Sequence, residues 1–415
     1  MERIRACHLV AACCGLLSLL CACGYGDNSG YYYGPSVPPP SGDGAAPTGL
    51  IQGSDGNFYG TTTAGGSFSE GAFVRVTPAG VETVLYSFAG GPADGANPQG
   101  VIQGKDGNFY GATGSGGTGA CAFGCGTAFK VTPGGVESVL YSFSGAADGG
   151  VPNGLVQGSD GNFYGTASFG GTSSGLCTSD GCGVVFKLTP AGAETALYAF
   201  TGGTDGAVPA SLIQGTDGNF YGITVHGGQS NNGTVFKATP AGAETVLHSF
   251  AGGGDGALPQ TPLVQGTDGN FYGTTASGGV NSNGIVFKIT PAGAETLLYA
   301  FAGGTADGAN PDTALIQGTD GNFYGTTNSG GDASCFDGCG TVFKITPAGA
   351  ESVLYLFTAS AIDGAEPPAA SSLLQGSDGN FYGTTSDGGQ FGFGTVFKLT
   401  PSGAESMLYS FNPTP

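Results

Sequence analysis

The sequence predicts an all-β protein, a seven-bladed β-propeller of four-stranded antiparallel blades, and three observations support this prediction. The motif Asp-Gly-Asn-Phe-Tyr-Gly occurs seven times, at Asp55, Asp106, Asp160, Asp217, Asp268, Asp320 and Asp378. A regular period of about 50 residues is typical of propellers and other repeat arrays. Each unit contains four short strand patterns, and complete units fill residues 41 to 411. A β-solenoid is the alternative fold.

The fifth unit illustrates the four predicted strands, and the turns between them explain where each strand ends. Asp268-Gly269 is typical of a tight hairpin turn. Pro291 and Gly293 favour a second tight turn, because proline presets φ and glycine accepts positive φ. The predicted strands are Leu263–Gln265, Phe271–Thr275, Gly284–Thr290 and Glu295–Phe301.

Connections at the two ends of each predicted blade differ in their variability. The turns between strands one and two and between strands three and four share one end, and they are short and nearly the same in every unit. The loops between strands two and three and the links between blades share the other end, and they vary in length and content. Variable loops on a rigid scaffold commonly carry binding sites. We expect any functional site at the loop-rich end.

The charge of the chain disfavours anionic ligands. The whole chain has a formal net charge of −20. Without residues 1–22, which contain Glu2, Arg3 and Arg5, 29 acidic and 8 basic residues remain, a net charge of −21. Nucleic acid, anionic glycans and anionic lipid surfaces all require a basic surface. We therefore expect no nucleic-acid partner.

Residues 1–22 have the features of an export signal. Arg3 and Arg5 precede an apolar stretch from Ala6 to Leu20, which is of ordinary length for a signal peptide and short for a membrane-spanning helix. Residues 23–40 are rich in proline, glycine and tyrosine and are predicted to be a tether. Residues 41–415 form the repeat domain.

The segment Leu20-Cys21-Ala22-Cys23 resembles the bacterial lipobox. The resemblance implies that Cys23 is the first mature residue, that it carries acyl chains and that the protein reaches the membrane through this lipid. Gly24, by the same analogy, favours the outer membrane or cell surface. Two alternatives stay open: an earlier lipobox at Val10-Ala11-Ala12-Cys13, and cleavage without lipidation.

Six cysteines occur in three close pairs within the variable loops of units two, three and six. Exported proteins can retain disulfides, so each pair is predicted to form a local bond: Cys121 with Cys125, Cys177 with Cys182, and Cys335 with Cys339. A metal site is the alternative, but zinc requires more ligands than any pair provides, and no histidine is near a pair in the sequence.

The sequence contains no pattern that identifies a catalytic centre. His226 lies in a variable loop without a neighbouring nucleophile, and His248 replaces the tyrosine that the other six units have at the same place. Arg75 is the one arginine after the signal segment, which excludes the arginine cluster that sialidase chemistry needs. The strand-three lysines are predicted to pair with strand-four glutamates.

Three repeated polar positions have structural interpretations. The turn aspartates fit Asp-Gly turn chemistry. The link aspartates fit Asx turns, with Ca²⁺ binding as the alternative. The strand-one glutamines are expected to join adjacent blades, although lining a central channel is also open. The link aspartates are Asp43, Asp94, Asp148, Asp205, Asp255, Asp307 and Asp363.

Segments close to LIQGSDGNFYGTT, GTVFKLTPAG and ETVLYSF recur in all seven units. This pattern resembles the GloVer-type tandem repeat, a family in which the membrane or cell-wall anchor varies while the repeat is retained. The family has no established activity, so the resemblance implies a fold and an envelope location and adds no chemistry, cofactor or catalytic residue.

The sequence thus favours a monomeric, envelope-anchored protein that binds a protein or a neutral glycan without catalysis. An extracytoplasmic lyase or hydrolase with a site at the same loop-rich end is the second hypothesis. A purely structural surface protein is the third.

Overall fold

The computed structural model describes residues 43–412, with the exception of residues 175, 178, 179, 359 and 368–371. The predicted signal peptide, Cys23 and the tether of residues 23–40 lie outside the described residues. The described residues form seven four-stranded antiparallel sheets in which spatial order follows chain order. Contacts between the last and the first sheet close them into a ring, so the predicted seven-bladed propeller is confirmed.

Each of the first four blades has a long innermost strand, which pairs with the second strand of the same blade over most of its length. The strands of blades one to four are β1 (Gly44–Gln52), β2 (Phe58–Gly65), β3 (Ala72–Val76), β4 (Glu82–Ser87), β5 (Gly95–Gln103), β6 (Phe109–Gly116), β7 (Thr127–Val131), β8 (Glu137–Ser142), β9 (Gly150–Gln157), β10 (Phe163–Phe169), β11 (Val184–Leu188), β12 (Glu194–Ala199), β13 (Ala207–Gln214), β14 (Phe220–His226), β15 (Thr234–Ala238) and β16 (Glu244–Ser249).

In the last three blades the innermost strand is only two residues long, and a short 3₁₀ turn, Gly253–Asp255, precedes blade five. Their strands are β17 (Val264–Gln265), β18 (Phe271–Thr275), β19 (Ile285–Ile289), β20 (Glu295–Ala300), β21 (Gly308–Ala309), β22 (Ile316–Gln317), β23 (Phe323–Thr327), β24 (Ser329–Gly330), β25 (Thr341–Ile345), β26 (Glu351–Leu356), β27 (Gly364–Ala365), β28 (Leu374–Gln375), β29 (Phe381–Thr385), β30 (Asp387–Gly388), β31 (Thr395–Leu399) and β32 (Glu405–Ser410). Nowhere in the described residues is there a helix with the length and apolar character needed to cross a bilayer.

The shorter inner strands follow from insertions after the strand-one proline. Units one to four have two residues between this proline, which is Pro98 in unit two, and the first leucine or valine of the strand, as in Gln99-Gly100. Units five and six have three residues there, and unit seven has five. A one-residue shift moves every side chain to the opposite face of a strand. The insertions therefore interrupt the pairing and leave two-residue inner strands.

Repeated aromatic contacts join neighbouring blades. Tyr164 of blade three packs against Phe220 of blade four with ring centroids 4.0 Å apart. The equivalent centroid distances at the other six interfaces lie between 3.9 and 4.3 Å. Such pairs contribute about 0.5–1.5 kcal/mol beyond the burial of their area. The motif that marks each repeat therefore also forms each blade interface.

Glycine is required in this motif because the blade is tightly packed behind the tyrosine. A Cβ atom on Gly165 would lie 2.6 Å from the ring of Phe186 on the third strand and 2.5 Å from the carbonyl oxygen of Gly154. Neither atom can move away cheaply in a close-packed core. The Phe-Tyr-Gly sequence thus combines a blade-interface pair with the space that the third strand needs.

The ring closes through hydrogen bonds as well as packing. The Ser377 amide donates to Gln52 Oε1 at 3.0 Å, and the Tyr409 hydroxyl donates to Asp43 Oδ2 at 2.6 Å. Blade one consists of residues 44–87 alone, so in the described chain no strand of the C-terminal segment completes it. The Gln52 contact is the one that a strand-one glutamine makes at every blade interface, so blades seven and one are joined in the same way as the other neighbours.

Candidate functional site

The two ends of the blades form chemically different surfaces. We call the end with the turns between strands one and two and between strands three and four the turn face. The loop face has the loops between strands two and three and the links between blades. In blade three the first turn covers residues 158–162, whereas the loop between β10 and β11 covers residues 170–183. The loop face therefore has more room for variation.

All eight lysine and arginine residues of the described chain lie at the turn face. Six strand-three lysines lie 2.8–3.7 Å from the turn aspartate of their own blade. Each lysine also lies 5.4–5.8 Å from the centre of the motif tyrosine ring, within the range of a cation–π contact. The eight residues are Arg75, Lys105, Lys130, Lys187, Lys237, Lys288, Lys344 and Lys398.

Asp160 shows how the turn aspartates work. Its carboxylate accepts hydrogen bonds from Asn162 and from the Tyr164 hydroxyl, and it pairs with Lys187 at 3.1 Å. Burial alone would raise the pKa of Asp160, but the hydrogen bonds from these three residues together hold it well below its usual range. The turn aspartates are therefore anchors of the turn, as the sequence predicted.

The predicted cross-strand pairs between lysine and glutamate are wrong. Lys187 lies opposite Thr195, and Glu194 lies opposite Leu188. Because neighbouring side chains on a strand point to opposite faces, Glu194 lies on the other side of the blade from Lys187. The lysines pair within their blade, and the glutamates face the preceding blade.

Each strand-four glutamate lies beside a link aspartate and a tyrosine or histidine of the preceding blade. Burial, together with the negative charge of Asp94, raises the pKa of Glu137 to about 7, and the Tyr86 hydroxyl offsets part of this rise. The Glu137 Oε1 atom is enclosed and has no hydrogen-bond partner. The pKa is raised by burial in the same way for Glu82, Glu194, Glu244, Glu295, Glu351 and Glu405.

The link aspartates close the links and do not form the expected Asx turns. Asp94 accepts hydrogen bonds from the Tyr86 hydroxyl at 2.9 Å, the Ala89 amide at 2.7 Å and the Gly95 amide at 2.6 Å. Two of these donors precede the aspartate by five and eight residues, which is a longer closure than an Asx turn. Backbone amides or hydroxyl groups likewise donate to both carboxylate oxygens at Asp43, Asp148, Asp205, Asp307 and Asp363.

The strand-one glutamines join adjacent blades, which confirms the preferred prediction. The Ser54 amide of blade one donates to Gln103 Oε1 of blade two at 2.9 Å. The same contact recurs around the ring with Gln157, Gln214, Gln265, Gln317, Gln375 and Gln52 as acceptors. Each of these side chains joins the inner strand of its own blade to the first turn of the preceding blade.

In blades two to seven, a strained residue before the strand-one proline donates a hydrogen bond to the loop between strands two and three of the preceding blade. Val151 has φ of 55°, which is costly for a β-branched residue. Its amide donates to the Cys125 carbonyl of the preceding blade at 2.8 Å, and Pro152 packs against Gly126. The other residues with positive φ at this position are Ala46, Asn97, Val208, Leu258, Asn310 and Glu366.

The three predicted disulfides are present and fix loops of the loop face. Cys121–Cys125, Cys177–Cys182 and Cys335–Cys339 are bonded within the loops of blades two, three and six. The second cysteine of each pair is fully buried, and its carbonyl accepts the hydrogen bond of the strained residue in the next blade. Each loop is thus fixed by its own disulfide and by a hydrogen bond from the next blade. Disulfides of this number are typical of a protein outside the cytoplasm.

Six of the seven loops between strands two and three carry an exposed apolar side chain, a feature that the sequence analysis missed. Phe123 is 86% exposed. The signal was available as one or two apolar residues in loops that otherwise consist of small and polar residues. The exposed side chains are Phe68, Phe123, Leu176, Val280, Phe336 and Phe391.

Two grooves of about 500 Å³ each flank the loop that carries Phe123. The groove between blades one and two contains Glu70 and Asn97, and the groove between blades two and three contains Phe169 and Asp180. Phe123 borders both grooves, so the two form one extended surface. Ligand sites usually have volumes in this range and combine aromatic rings with a few polar groups.

The loop face has acidic residues and no lysine or arginine in the described chain. Asp312 has an enclosed Oδ1 without a partner, and burial raises the pKa of this residue to about 7. Burial raises the pKa of Glu366, and the nearby Asp387 and Asp337 add to the effect. An anionic ligand would be repelled here. Within the described residues, the acids outside the repeated positions are Glu70, Asp180, Asp312, Asp332, Asp337, Glu366 and Asp387.

The two histidines of the repeat domain lie in different settings. His226 is the last residue of β14, at the loop face. His248 takes the place of the strand-four tyrosine, as predicted, and its ring packs edge-on against Phe250 at 4.9 Å. Within the described residues, His248, Asp255 and Glu295 are the one group whose possible metal-ligand atoms lie within 4.8 Å of one another.

The chain belongs to the Gloeobacter/Verrucomicrobia repeat family, whose sequence profile matches residues 37–213, 119–338 and 211–415. These overlapping matches cover the whole repeat domain. The expected resemblance to the GloVer-type tandem repeat is thereby confirmed. No curated protein matches the chain.

Solved structures that resemble the chain are propellers with distant sequences. Puromycin hydrolase has a TM-score of 0.53 and 13% identity, over 89% of this chain and 53% of that one. The extracellular domain of a protein described as a hybrid two-component system from B. thetaiotaomicron has a TM-score of 0.54 and 13% identity, over 88% and 42%. The chain thus spans about half the length of each, and identities this low establish the fold alone.

Proposed function

We propose that this protein is an extracytoplasmic binding module whose loop face holds a neutral glycan in the two grooves beside Phe123. The observation that carries the proposal is the pairing of an exposed aromatic ring with two adjoining grooves of about 500 Å³ each. A ring exposed between two adjoining grooves offers an apolar platform for the flat face of a sugar, with hydrogen-bonding groups on either side.

The polar groups around Phe123 suit hydroxyl-rich, uncharged ligands. Asn97, Ser115 and Ser144 offer neutral donors and acceptors, and Glu70 and Asp180 offer acceptors. No cation lies on this face in the described chain to attract sulfate, phosphate or carboxylate groups. These properties favour a neutral glycan over an anionic one.

The grooves are pre-organised for binding. The Cys121–Cys125 disulfide brackets Phe123, and Val151 attaches the same loop to blade three. A surface that is already ordered loses less conformational entropy when it binds. This argues for a binding role of the rigid loop.

An extracytoplasmic hydrolase or lyase at the same grooves is the second candidate. The observation in its favour is the presence of one carboxylate in each groove, Glu70 and Asp180, because paired carboxylates can act as acid and base on glycosidic bonds. Puromycin hydrolase shares the fold, and that likeness adds no residue to this candidate.

We further propose that Cys23 is lipidated and that residues 24–40 hold the propeller away from the outer membrane or cell surface. The lipobox-like sequence before Cys23 supports this. Mass spectrometry of the protein extracted from the bacterial envelope tests it. Acyl chains on Cys23, and release of a Cys23→Ala variant from the membrane fraction, are the expected results. An unmodified Cys23 in the wild type would contradict the anchor.

A glycan array tests the proposed ligand class. The full chain, produced with oxidised cysteines, is applied with and without a Ca²⁺ chelator, and every bound glycan is then checked for cleavage. Saturable binding of neutral glycans without cleavage is expected, and a chelator effect would identify a role for Ca²⁺. Products would favour the hydrolase or lyase. A blank array in both conditions would reject the glycan and redirect the search to a protein partner.

Phe123→Ala is the matched test of the site, and Val136→Ala is its control. Phe123 is 86% exposed at the loop face, and Val136 is 68% exposed at the turn face. We expect the first change to weaken binding at least about tenfold, because the aromatic platform is lost. The second change should leave affinity unaltered. Equal effects of the two changes would contradict the assignment of the grooves.

A further inference from the structure

The interface between blades four and five departs from the other six, and the repeat itself provides the reference. Elsewhere a strand-four tyrosine lies beside the link aspartate and the glutamate of the next blade, as Tyr86 does with Asp94 and Glu137. Between blades four and five, an imidazole replaces the phenol. His248 Nε2 lies 3.2 Å from both carboxylate oxygens of Asp255.

The aspartate at this interface is also held differently. At the other six links, Oδ1 accepts a hydrogen bond from an amide or hydroxyl group of its own link, as Asp94 does from the Gly95 amide. Asp255 lies in the 3₁₀ turn Gly253–Asp255, and its Oδ2 accepts from the Ala251 amide. Among the described residues, Asp255 Oδ1 has only His248 as a partner.

The third member of the group is a glutamate with an unused oxygen. Glu295 Oε1 is enclosed and has no hydrogen-bond partner. Ligand atoms of His248, Asp255 and Glu295 lie within 4.8 Å of one another. The side chains of His248 and Asp255 are 19% and 25% exposed, so an ion and its water molecules can reach them.

We propose that His248, Asp255 and Glu295 bind a divalent first-row transition metal ion, with Zn²⁺ as the preferred ion, at the interface of blades four and five. One imidazole nitrogen and two carboxylate oxygens form a donor set that suits zinc. Tetrahedral zinc at its usual ligand distances requires ligand atoms about 3.3 Å apart. The pair of His248 and Asp255 already meets this distance, and a rotation of Glu295 completes the set.

Three protein ligands leave at least one coordination position to water. This arrangement is typical of zinc sites that are open to solvent, whereas purely structural zinc sites usually have four protein ligands. The ion would link the end of one outer strand to the start of the next, and bound ion would stabilise the folded ring. The same position in the other six interfaces cannot bind zinc in this way, because a neutral phenol is a poor ligand.

Calorimetry and metal analysis of the full chain, produced without a histidine tag, test this site. The protein is stripped with chelator, titrated with ZnCl₂ and in parallel with CaCl₂, and its zinc content is measured after dialysis. We expect one zinc per chain, a higher melting temperature with zinc, and much weaker binding of calcium, which prefers oxygen ligands in larger number.

His248→Tyr is the decisive variant, because it restores the residue of the other six interfaces and is therefore expected to fold. It should lose the bound zinc and the zinc-dependent rise in melting temperature, and Glu295→Gln should weaken binding. His226→Ala is the matched control and should keep the zinc. The proposal is overturned if the wild type binds no zinc, if His248→Tyr still binds it, or if His226→Ala loses it.

Discussion

The turn face and the loop face are formed by the same seven repeats, yet they differ in nearly every chemical property. The turn face repeats one network, in which an aspartate such as Asp160 is bonded to a tyrosine and a lysine of its own blade. The loop face presents different residues in each blade, among them Phe123 and Glu70. All lysines and arginines of the described chain lie on the turn face, and the loop acids Glu70, Asp180, Asp332 and Asp337 lie on the loop face.

The difference shows which positions the architecture constrains. Side chains that contact the next blade, such as Tyr164 with Phe220, recur because each interface has the same geometry. The tips of the loops contact solvent, so their residues can change without affecting an interface. Variation among repeats of one chain thus separates residues that maintain the ring from residues that are available for binding.

The largest expected effect is on stability and belongs to a blade interface near the turn face. Phe220 is completely buried, and Phe220→Ala should lower the free energy of unfolding by about 3–5 kcal/mol, since it removes a packed ring and leaves a cavity. Phe123→Ala removes a phenyl ring too, but this ring is exposed on the loop face, so the free energy of unfolding should change by no more than about 0.5 kcal/mol. Urea unfolding measures both, and similar losses would erase the distinction between the faces.

The next effect concerns the turn network. Asp160→Ala should cost about 1–3 kcal/mol, because the buried Tyr164 hydroxyl loses its acceptor. Ser159→Ala in the same turn is the control, since its backbone amide still donates to Gln214 Oε1 at 2.8 Å and the change removes only the long, exposed 3.4 Å contact from Gln214 Nε2 to the Ser159 hydroxyl. Thermal unfolding at pH 7 compares the two, and a harmless Asp160→Ala would show that the turn face tolerates variation as the loops do.

Removal of one disulfide should affect the loop face more than the ring. The bond closes a loop of only a few residues, so Cys121→Ser with Cys125→Ser should cost about 2 kcal/mol or less. If the proposed glycan binds at Phe123, affinity should fall about tenfold as the loop loses its order. A large loss of stability with unchanged affinity would assign the disulfide to the scaffold instead.

The last effect concerns the pH dependence of stability. The folded pKa of Glu137 is about 7, above its unfolded value of 4.5, because of burial and the charge of Asp94. The folded state therefore holds a proton that the unfolded state releases, and stability falls as pH rises from about 4.5 to 7. Turn aspartates such as Asp160 act in the opposite direction, but only below their ordinary pKa.

Glu137→Gln isolates this contribution, because glutamine keeps the shape and cannot ionise. Its melting temperature should fall less than that of the wild type between pH 5 and pH 8, and the variant should be the more stable protein at pH 8. Melting curves at the two pH values measure the difference. An unchanged pH dependence would mean that the interface glutamates are already hydrated.

The sequence by itself determined the period, the four strands of each blade, the tight turns and the pairing within each cysteine pair. These features are local: a turn, a strand or the bond between Cys121 and Cys125 depends on residues a few positions apart. The motif residues Phe, Tyr and Gly were recognisable because the same packing contacts recur in all seven units. The approximate strand limits in the fifth unit were therefore close to the observed ones, with β18 matching at Phe271–Thr275.

Only the tertiary structure decided which partners meet across strands and across blades. The preference of Lys187 for Asp160 over Glu194 depends on strand register, since alternating side chains face different neighbours. Ring closure, the grooves beside Phe123 and the meeting of His248 with Glu295 all join residues from different repeats. The order of residues along the chain does not specify how far apart such residues lie in space. The twist and stacking of the blades bring them together, and those follow from packing of the whole ring.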